Sequence, residues 1–393
     1  MPWQEASIME QRREFVRLAL QEGVNRRELC RRFAISPKTA YKWLARAQGG
    51  DHELADRSRR PAHSPRRSDA QLEAAILELH EAHPAWGARK IRRRLPPDGM
   101  ALPAASTVHA ILVRHGRIRL PADRRGAAPS RFERPAPNQL WQMDFKGWVR
   151  LSNGLACHPL TVIDDHSRYA LCLQAFANQR SDTVQGALTA TFRRYGLPDA
   201  ILVDNGSPWG DGPGQSWTRL GVWLLKLGVD VLHSRPYHPQ TRGKNERFHR
   251  TLQAEVFALA LFQDLDEVQC AFDRWRGVYN LERPHEALGQ EVPASRYVPS
   301  SRAMPGSVPQ VEYDTGEIVR VVGTTKAYVS FKGRLWRVPQ AFCGERVAIR
   351  PRGPDGCYVI CFGAREIAGI DLAIPAEQSV TYVSEQPLPM SPV

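Results

Sequence analysis

Long apolar runs are missing from this 393-residue chain. The longest, Val222–Leu225 and Val256–Phe262, fall far short of the roughly 20 residues that cross a bilayer, so no membrane span is expected. Cysteine is scarce. Its seven copies (30, 157, 172, 270, 343, 357 and 361) are odd in number and sit mostly inside apolar stretches, which argues against a disulfide framework and fits small buried hydrophobes of a reducing cytosol. No Cys/His tetrad has zinc-finger spacing, and Cys357 with Cys361 has no second pair nearby. The first residues, with Glu5, Glu10 and Glu14, lack the basic-then-apolar order of a secretory leader. Acid is short relative to base. Asp and Glu total 41 against 54 Lys and Arg, giving a net charge of +13 spread over several segments, and such a surface points to nucleic acid.

The length predicts several domains. Residues 1–50 pattern as three short helices. Ile8, Phe15, Leu18 and Ala19 mark one face of the first, Asn25 with Glu28 caps the second, and Ser36 with Pro37 opens the third, where Ala40, Trp43, Leu44 and Ala47 repeat at helical spacing. This is helix-turn-helix patterning. Lys38, Thr39, Lys42 and Arg46 on the outer face of the third helix are the residue types that reach phosphates and base edges in the major groove. An aperiodic basic linker, 51–67, follows with Arg59 and Arg60, and a second three-helix pattern occupies 68–116, its middle helix crowded by Arg89, Lys90, Arg92, Arg93 and Arg94. Residues 117–138 read as a proline-rich linker.

From 139 to 298 the pattern turns to α/β. Three meandering strands precede a helix over 182–195, a buried strand at 200–203, a helix over 217–227, a short strand at 229–233 and two long amphipathic helices, which together make a mixed sheet. A Pro/Ser linker is expected at 299–310, a small β-barrel at 311–374, since closure removes the edges of its short strands, and a disordered tail at 375–393. The barrel's basic residues, Lys326 and Arg346 among them, suit an accessory DNA-contact or protomer-contact module.

Three motifs carry the chemistry. Asp144 stands in Trp-Gln-Met-Asp-Phe-Lys-Gly, Asp204 in Leu-Val-Asp-Asn-Gly-Ser-Pro, and Glu246 in the run His238-Pro-Gln-Thr-Arg-Gly-Lys-Asn-Glu-Arg-Phe-His249. Two apolar β-prone runs ending in aspartate and a glutamate at the head of a helical pattern allow three carboxylates to meet at one sheet edge, where hard cations such as Mg²⁺ bind. Asp164 and Asp165 sit in a turn pattern, where acids usually satisfy backbone donors. Lys244, Arg247 and Arg250 fall near one face of the helix and are candidates for DNA phosphates, while Asn205, His238, Gln240, Lys244 and Asn245 are candidates either for orienting the helix or for touching DNA phosphates.

These motifs resemble those of the integrase-core (DDE) transposases of bacterial insertion sequences, relatives of retroviral integrases. The resemblance runs strongly over about 141 to 285, including Arg283-Pro-His-Glu-Ala-Leu288, and more weakly over the two ends. It implies a ribonuclease H-like core in which Asp144, Asp204 and Glu246 are both catalytic residues and ligands to two Mg²⁺ ions, with Mn²⁺ as a substitute. It further implies strand cleavage at element ends and strand transfer into double-stranded target DNA, a homo-oligomer on paired ends, and no membrane. The 41 residues between Asp204 and Glu246 exceed the usual spacing of that group, and the Gly-rich stretch 206–214 can absorb the excess. Asp211 and Glu255 are the alternative third acids. A DNA-binding regulator with a relic core and a non-transposing nuclease are the competing functions; the intact acids argue against the first and the helix-turn-helix patterns against the second.

Overall fold

The computed structural model describes residues 7–50, 54–56, 68–96, 102–118, 133–210, 217–233 and 243–374. Two compact units, Met1–Asp69 and Ala70–Val393, divide the chain. In the first, α1 (Ile8–Ala19), α2 (Arg26–Arg32) and α3 (Pro37–Gln48) start at the expected caps. Ser7 and Glu10 form a reciprocal capping box, Asn25 accepts from the Arg27 and Glu28 amides, and Ser36 accepts from Thr39 with Pro37 at the first helical position. Phe15, Leu29, Ala40, Trp43 and Leu44 make the core. Ile8, expected to face inward, is exposed, and Val16 is buried instead. Arg59 and Arg60 lie outside the described residues.

The second unit opens with α4 (Ala70–Ala82), α5 (Ala88–Arg94) and α6 (Ala105–Arg114), packed around Ile76, Trp86, Ile91, Val108, Ile111 and Leu112. Val278, from a helix of the following α/β region, packs onto this cluster. Arg89 and Arg93 of α5 each hold a glutamate of that region, Glu286 and Glu291, at 2.7 Å.

The central sheet is mixed. Its strands are β1 (Trp141–Phe145), β2 (Val149–Arg150), β3 (Ala156–Asp164), β4 (Ala170–Phe176), β5 (Ala200–Val203) and β6 (Asp230–His233). β3 lies antiparallel between β1 and β4, while β1, β5 and β6 run parallel. Side chains alternate across the sheet, so one face buries Trp141, Met143, Leu160, Val162, Ile201 and Val203 against α7 (Ser181–Tyr195) and α8 (Arg219–Lys226). The other face carries α9 (Gly243–Leu252) and α10 (Leu265–Leu281), whose Phe248, Leu252, Phe272 and Trp275 pack on Ile163 and Leu173. Asn280 of α10 bonds both backbone groups of Ala170, at 2.8 and 3.0 Å, and so ties the helix to strand β4.

Two expectations for the C-terminal region need correction. Residues 299–310 are not a loose linker: Ser300 N–H donates to Tyr195 O at 2.8 Å, Leu197 N–H to Arg302 O at 2.7 Å, and the Arg302 guanidinium reaches Gly228 O at 2.6 Å. Gly196 is required there, because its φ is +77° and a Cβ would lie 2.6 Å from Ser300 O. The second correction concerns the barrel. β7 (Ile318–Val321), β10 (Arg346–Pro351), β11 (Cys357–Phe362) and β12 (Arg365–Asp371) form an antiparallel sheet in the order β12-β11-β10-β7, and β8 (Tyr328–Phe331) pairs with β9 (Arg334–Arg337) in a separate hairpin. No closed sheet occurs among the described residues. Nor does the module stand apart. Its core of Val329, Phe331, Trp336, Phe342, Ile360 and Phe362 is continuous with Trp217 and with Val222 of α8, and Lys226 pairs with Glu345 at 3.0 Å.

That shared core sets an expected outcome. A chain ending at Gln310 uncovers Trp217 and Val222 and should melt well below the full-length protein and aggregate; thermal denaturation of the two forms checks it, and coincident melting curves would contradict the shared core.

Candidate functional site

The pleat of β1 decides where its aspartate points. Trp141 and Met143 face the α7/α8 core, so Gln142 and Asp144 face the α9 side. The same alternation in β5 sends Ile201 and Val203 to the core and Ala200, Leu202 and Asp204 to the opposite side, where Leu202 meets Leu140. β1 and β5 pair in parallel with Trp141 opposite Ile201 and Gln142 opposite Leu202. Continuing that register by two residues puts Asp144 level with Asp204, on strands about 4.8 Å apart. Both are partly exposed at the strand ends. Asp204 Oδ1 accepts the Gly206 amide at 3.0 Å, and Asp204 O is bonded to His233 Nδ1 at 2.9 Å.

Two anchors hold α9 against this face, one on either side of Glu246. Lys244 is ion-paired to Asp165, which is fully buried and also accepts from Gln142 Nε2 at 2.7 Å and from the Arg134 amide at 2.8 Å. Asp165 thus links the start of α9 to the strand that carries Asp144. Further along, His249 Nε2 lies 2.9 Å from Thr161 Oγ1, whose hydroxyl donates to Asp144 O at 2.9 Å. The hydroxyl's single proton goes to that carbonyl, so His249 must be the donor through Nε2. Glu246 is exposed between the anchors, and Phe248, buried against Trp275 and Tyr279, sets the helix's rotation.

Asp144 and Asp204 offer carboxylate oxygens at one strand level, a donor type that suits a hard, oxygen-liganded cation. Among the described residues no three His, Cys, Asp or Glu side chains stand close enough together to hold one ion.

Other expected residues take different places. Asp164 is buried and accepts from the Asn138 amide (2.8 Å), the Ser167 amide (2.7 Å) and the Ser167 hydroxyl (2.6 Å); burial raises its pKa and these donors oppose the rise. Both turn acids are therefore taken up by hydrogen-bond donors, Asp164 partly from its own turn and Asp165 from distant segments. Lys244, a candidate both for orienting the helix and for touching DNA, is tied to Asp165 and so tethers α9. Burial pushes its ammonium down to about 8, with Asp165 pulling the other way. Glu255 is no alternative third acid: Arg283 donates to one oxygen at 2.8 Å and Trp275 Nε1 to the other at 2.9 Å, inside a π-helical turn, Gln253–Phe257. Asp211, His238 and Gln240 lie outside the described residues. Trp209 is buried in the core and stacked on Phe145. Arg247 and Arg250 are exposed on α9.

On α3, Lys38 and Lys42 are exposed, Thr39 bonds the capping Ser36 at 2.9 Å, and Arg46 reaches Ala55 O at 2.7 Å while lying over Trp43. Arg46 is thus turned into the local fold, a correction to its expected outward role. Tyr41, which no motif singles out, stands 59% exposed beside Lys42. Nor does the sequence signal the pairing of Thr161 with His249, two ordinary residues 88 positions apart.

Fold and acid-bearing face define an integrase core. Integrase core domain models match residues 134–239 and 227–293, helix-turn-helix and homeodomain-like models match 11–62 and 39–112, and the C-terminal domain model of IS481 family transposases matches 318–378. The chain is 26% identical over 278 residues to the uncharacterized 31.7 kDa protein of insertion element IS407 from Burkholderia multivorans, covering 70% of this chain and 92% of that one. It is 25% identical to the uncharacterized 39.2 kDa protein of insertion element IS476 from Xanthomonas euvesicatoria, covering 60% and 67%. A simian T-cell lymphotropic virus intasome chain aligns at 16% identity and a TM-score of 0.37, covering 74% of this chain and 97% of that one. The chain belongs to the integrase-core transposases of insertion sequences, with helix-turn-helix DNA-binding regions ahead of the catalytic core. No helix among the described residues is long and apolar enough to cross a membrane.

The two glutamates separate by stability. Glu255→Gln leaves the buried Arg283 without its counter-charge and should cost about 3–5 kcal/mol, whereas exposed Glu246→Gln should leave the melting temperature nearly unchanged. Equal melting temperatures for the two variants would contradict the structural role given to Glu255.

Proposed function

We propose that the chain binds the terminal repeats of a mobile DNA element and carries out metal-dependent cleavage and strand transfer with Asp144, Asp204 and Glu246 as the catalytic acids. The observation that supports this most is the delivery of the two aspartates to one strand level on the face that α9 covers. Two Mg²⁺ ions, replaceable by Mn²⁺, would activate the attacking water or 3′-hydroxyl and neutralise the leaving oxygen. The chain's own part is to hold and orient. Asp144 and Asp204 supply fixed carboxylate oxygens, the Lys244 and His249 anchors present Glu246 to them, and exposed Arg247 and Arg250 line up the DNA backbone. With ions and DNA bound, Glu246 would supply the third carboxylate oxygen. No covalent protein intermediate is needed, because water and the DNA hydroxyl are the nucleophiles.

End recognition falls to α3. Lys38, Lys42 and Tyr41 present donors and an aromatic edge to the major groove, while Arg59 and Arg60 of the basic linker contact phosphates. The working form is a homo-oligomer on paired ends, and the C-terminal sheets, with Arg337 and Arg346 exposed, contribute to that assembly.

Replacing Asp144 or Asp204 by Asn should abolish Mg²⁺-dependent nicking of an end duplex and leave its binding intact, measured by gel cleavage and anisotropy on the same DNA. Retention of cleavage by either variant would remove that acid from the site. Lys42→Ala should reduce discrimination between cognate and scrambled ends by about 1–3 kcal/mol, while joint loss of Arg59 and Arg60 should weaken both DNAs alike. Equal loss on both DNAs for Lys42→Ala would exclude base readout by that residue.

A further inference from the structure

Helix α5 carries a run of five cations around one apolar residue, and four of the five have a polar partner within the protein, three of them a carboxylate. Arg89 holds Glu286 and Arg93 holds Glu291, each at 2.7 Å; Arg92 donates to Pro103 O at 2.7 Å, and Arg94 lies 3.9 Å from Glu282. Lys90 is the exception. Among the described residues its ammonium makes no hydrogen bond and no ion pair, although the residue is half-buried. Lys90 lines a cavity of about 440 Å³ between α5, the start of α6 and the 286–290 turn, together with Ser106, His109 and Gln290. Gln290 adds a second irregularity: its Oε1 is buried and has no partner.

The charge around Lys90 is unfavourable to it as the protein stands. Burial is the largest influence lowering its pKa, and Arg283 and Arg247 act in the same direction. Two acids act against them, but each is already engaged. Glu255 is held by Arg283 and Trp275, and Glu286 by Arg89. A half-buried cation among cations, beside an orphaned amide in an open cavity, is a costly arrangement that an anion would relieve. Rotating the Gln290 amide exchanges its oxygen for an N–H₂ and turns the orphan acceptor into a donor toward the same cavity.

We infer that this cavity is a phosphate subsite of the DNA path, with Lys90 and Gln290 as donors to one backbone phosphodiester. The assignment rests on the transposition function proposed above and gives it a route. Arg247, among the charges felt by Lys90, follows Glu246 directly on α9, so a strand whose phosphate sits on Lys90 runs beside the helix that carries the third acid. Both side chains contact only phosphate, so the subsite is indifferent to base sequence.

The test uses the full-length protein and end duplexes of cognate and scrambled sequence, with binding followed by anisotropy from 50 to 300 mM salt. Lys90→Met should weaken binding several-fold on both DNAs and make the log–log salt slope shallower by roughly 0.9, the value for one lost phosphate contact. Lys90→Arg should restore both. Without DNA, Lys90→Met should melt no lower than the wild type, since it removes an uncompensated half-buried charge. An unchanged slope and affinity in Lys90→Met would overturn the subsite, as would a large fall in melting temperature with the slope intact, which would mark a structural lysine. If Lys90→Met binds normally while Asp144→Asn still abolishes cleavage, the subsite fails and the transposition function stands. If the wild type itself does not nick an end duplex, the function fails first.

Discussion

The acid-bearing face depends on the parallel pairing of β1 with β5. Trp141 opposite Ile201 and Gln142 opposite Leu202 fix the register, and the two-residue period of each strand then leaves no choice about where Asp144 and Asp204 point. A slip of one residue would carry either aspartate into the face that α7 and α8 bury. The apolar partners resist it: Met143 and Val203, one residue before each acid, are both buried in that core. Hydrophobic burial on one face therefore sets the position of charge on the other.

The third acid arrives by a different device. Glu246 sits on a helix packed across the sheet, so its position depends on how α9 is held. Phe248 supplies apolar contact, while Asp165 and Thr161 each receive a polar side chain from α9. Asp165 is engaged by Lys244, Gln142 and the Arg134 amide, and so couples helix, strand and the segment ahead of β1 through one buried carboxylate. Burying that ion pair has a cost in stability. Its return is orientation, since Gln142 stands two residues before Asp144 and Lys244 two before Glu246.

Much of this was legible in the sequence, and the exceptions share a cause. The strand and helix order of the core follows from local periodicity, and the level of Asp144 and Asp204 follows from where two apolar runs end. Lys244 and Arg46 read as outward cations because helical spacing gives a face, not the partner waiting on a distant segment; Asp165 and Ala55 are those partners. Trp209 lies in a glycine-rich stretch, which hides its stacking on Phe145. Residues 299–310 have linker composition, yet Arg302 and Ser300 bind the turn after α7 through backbone groups that composition does not encode. The closed barrel failed for a similar reason. Short strands do need their edges protected, but here part of the sheet's apolar face is covered by Trp217 and Val222.

The central claim is that Asp144, Asp204 and Glu246 form one metal site, reached when DNA is bound. Anomalous diffraction from crystals of the protein grown with Mn²⁺ and an end duplex tests it most directly. The expected result is anomalous density bridging Asp144 and Asp204 with a Glu246 oxygen in its coordination shell. Density at other carboxylates, or none at these three with DNA in place, would contradict the account.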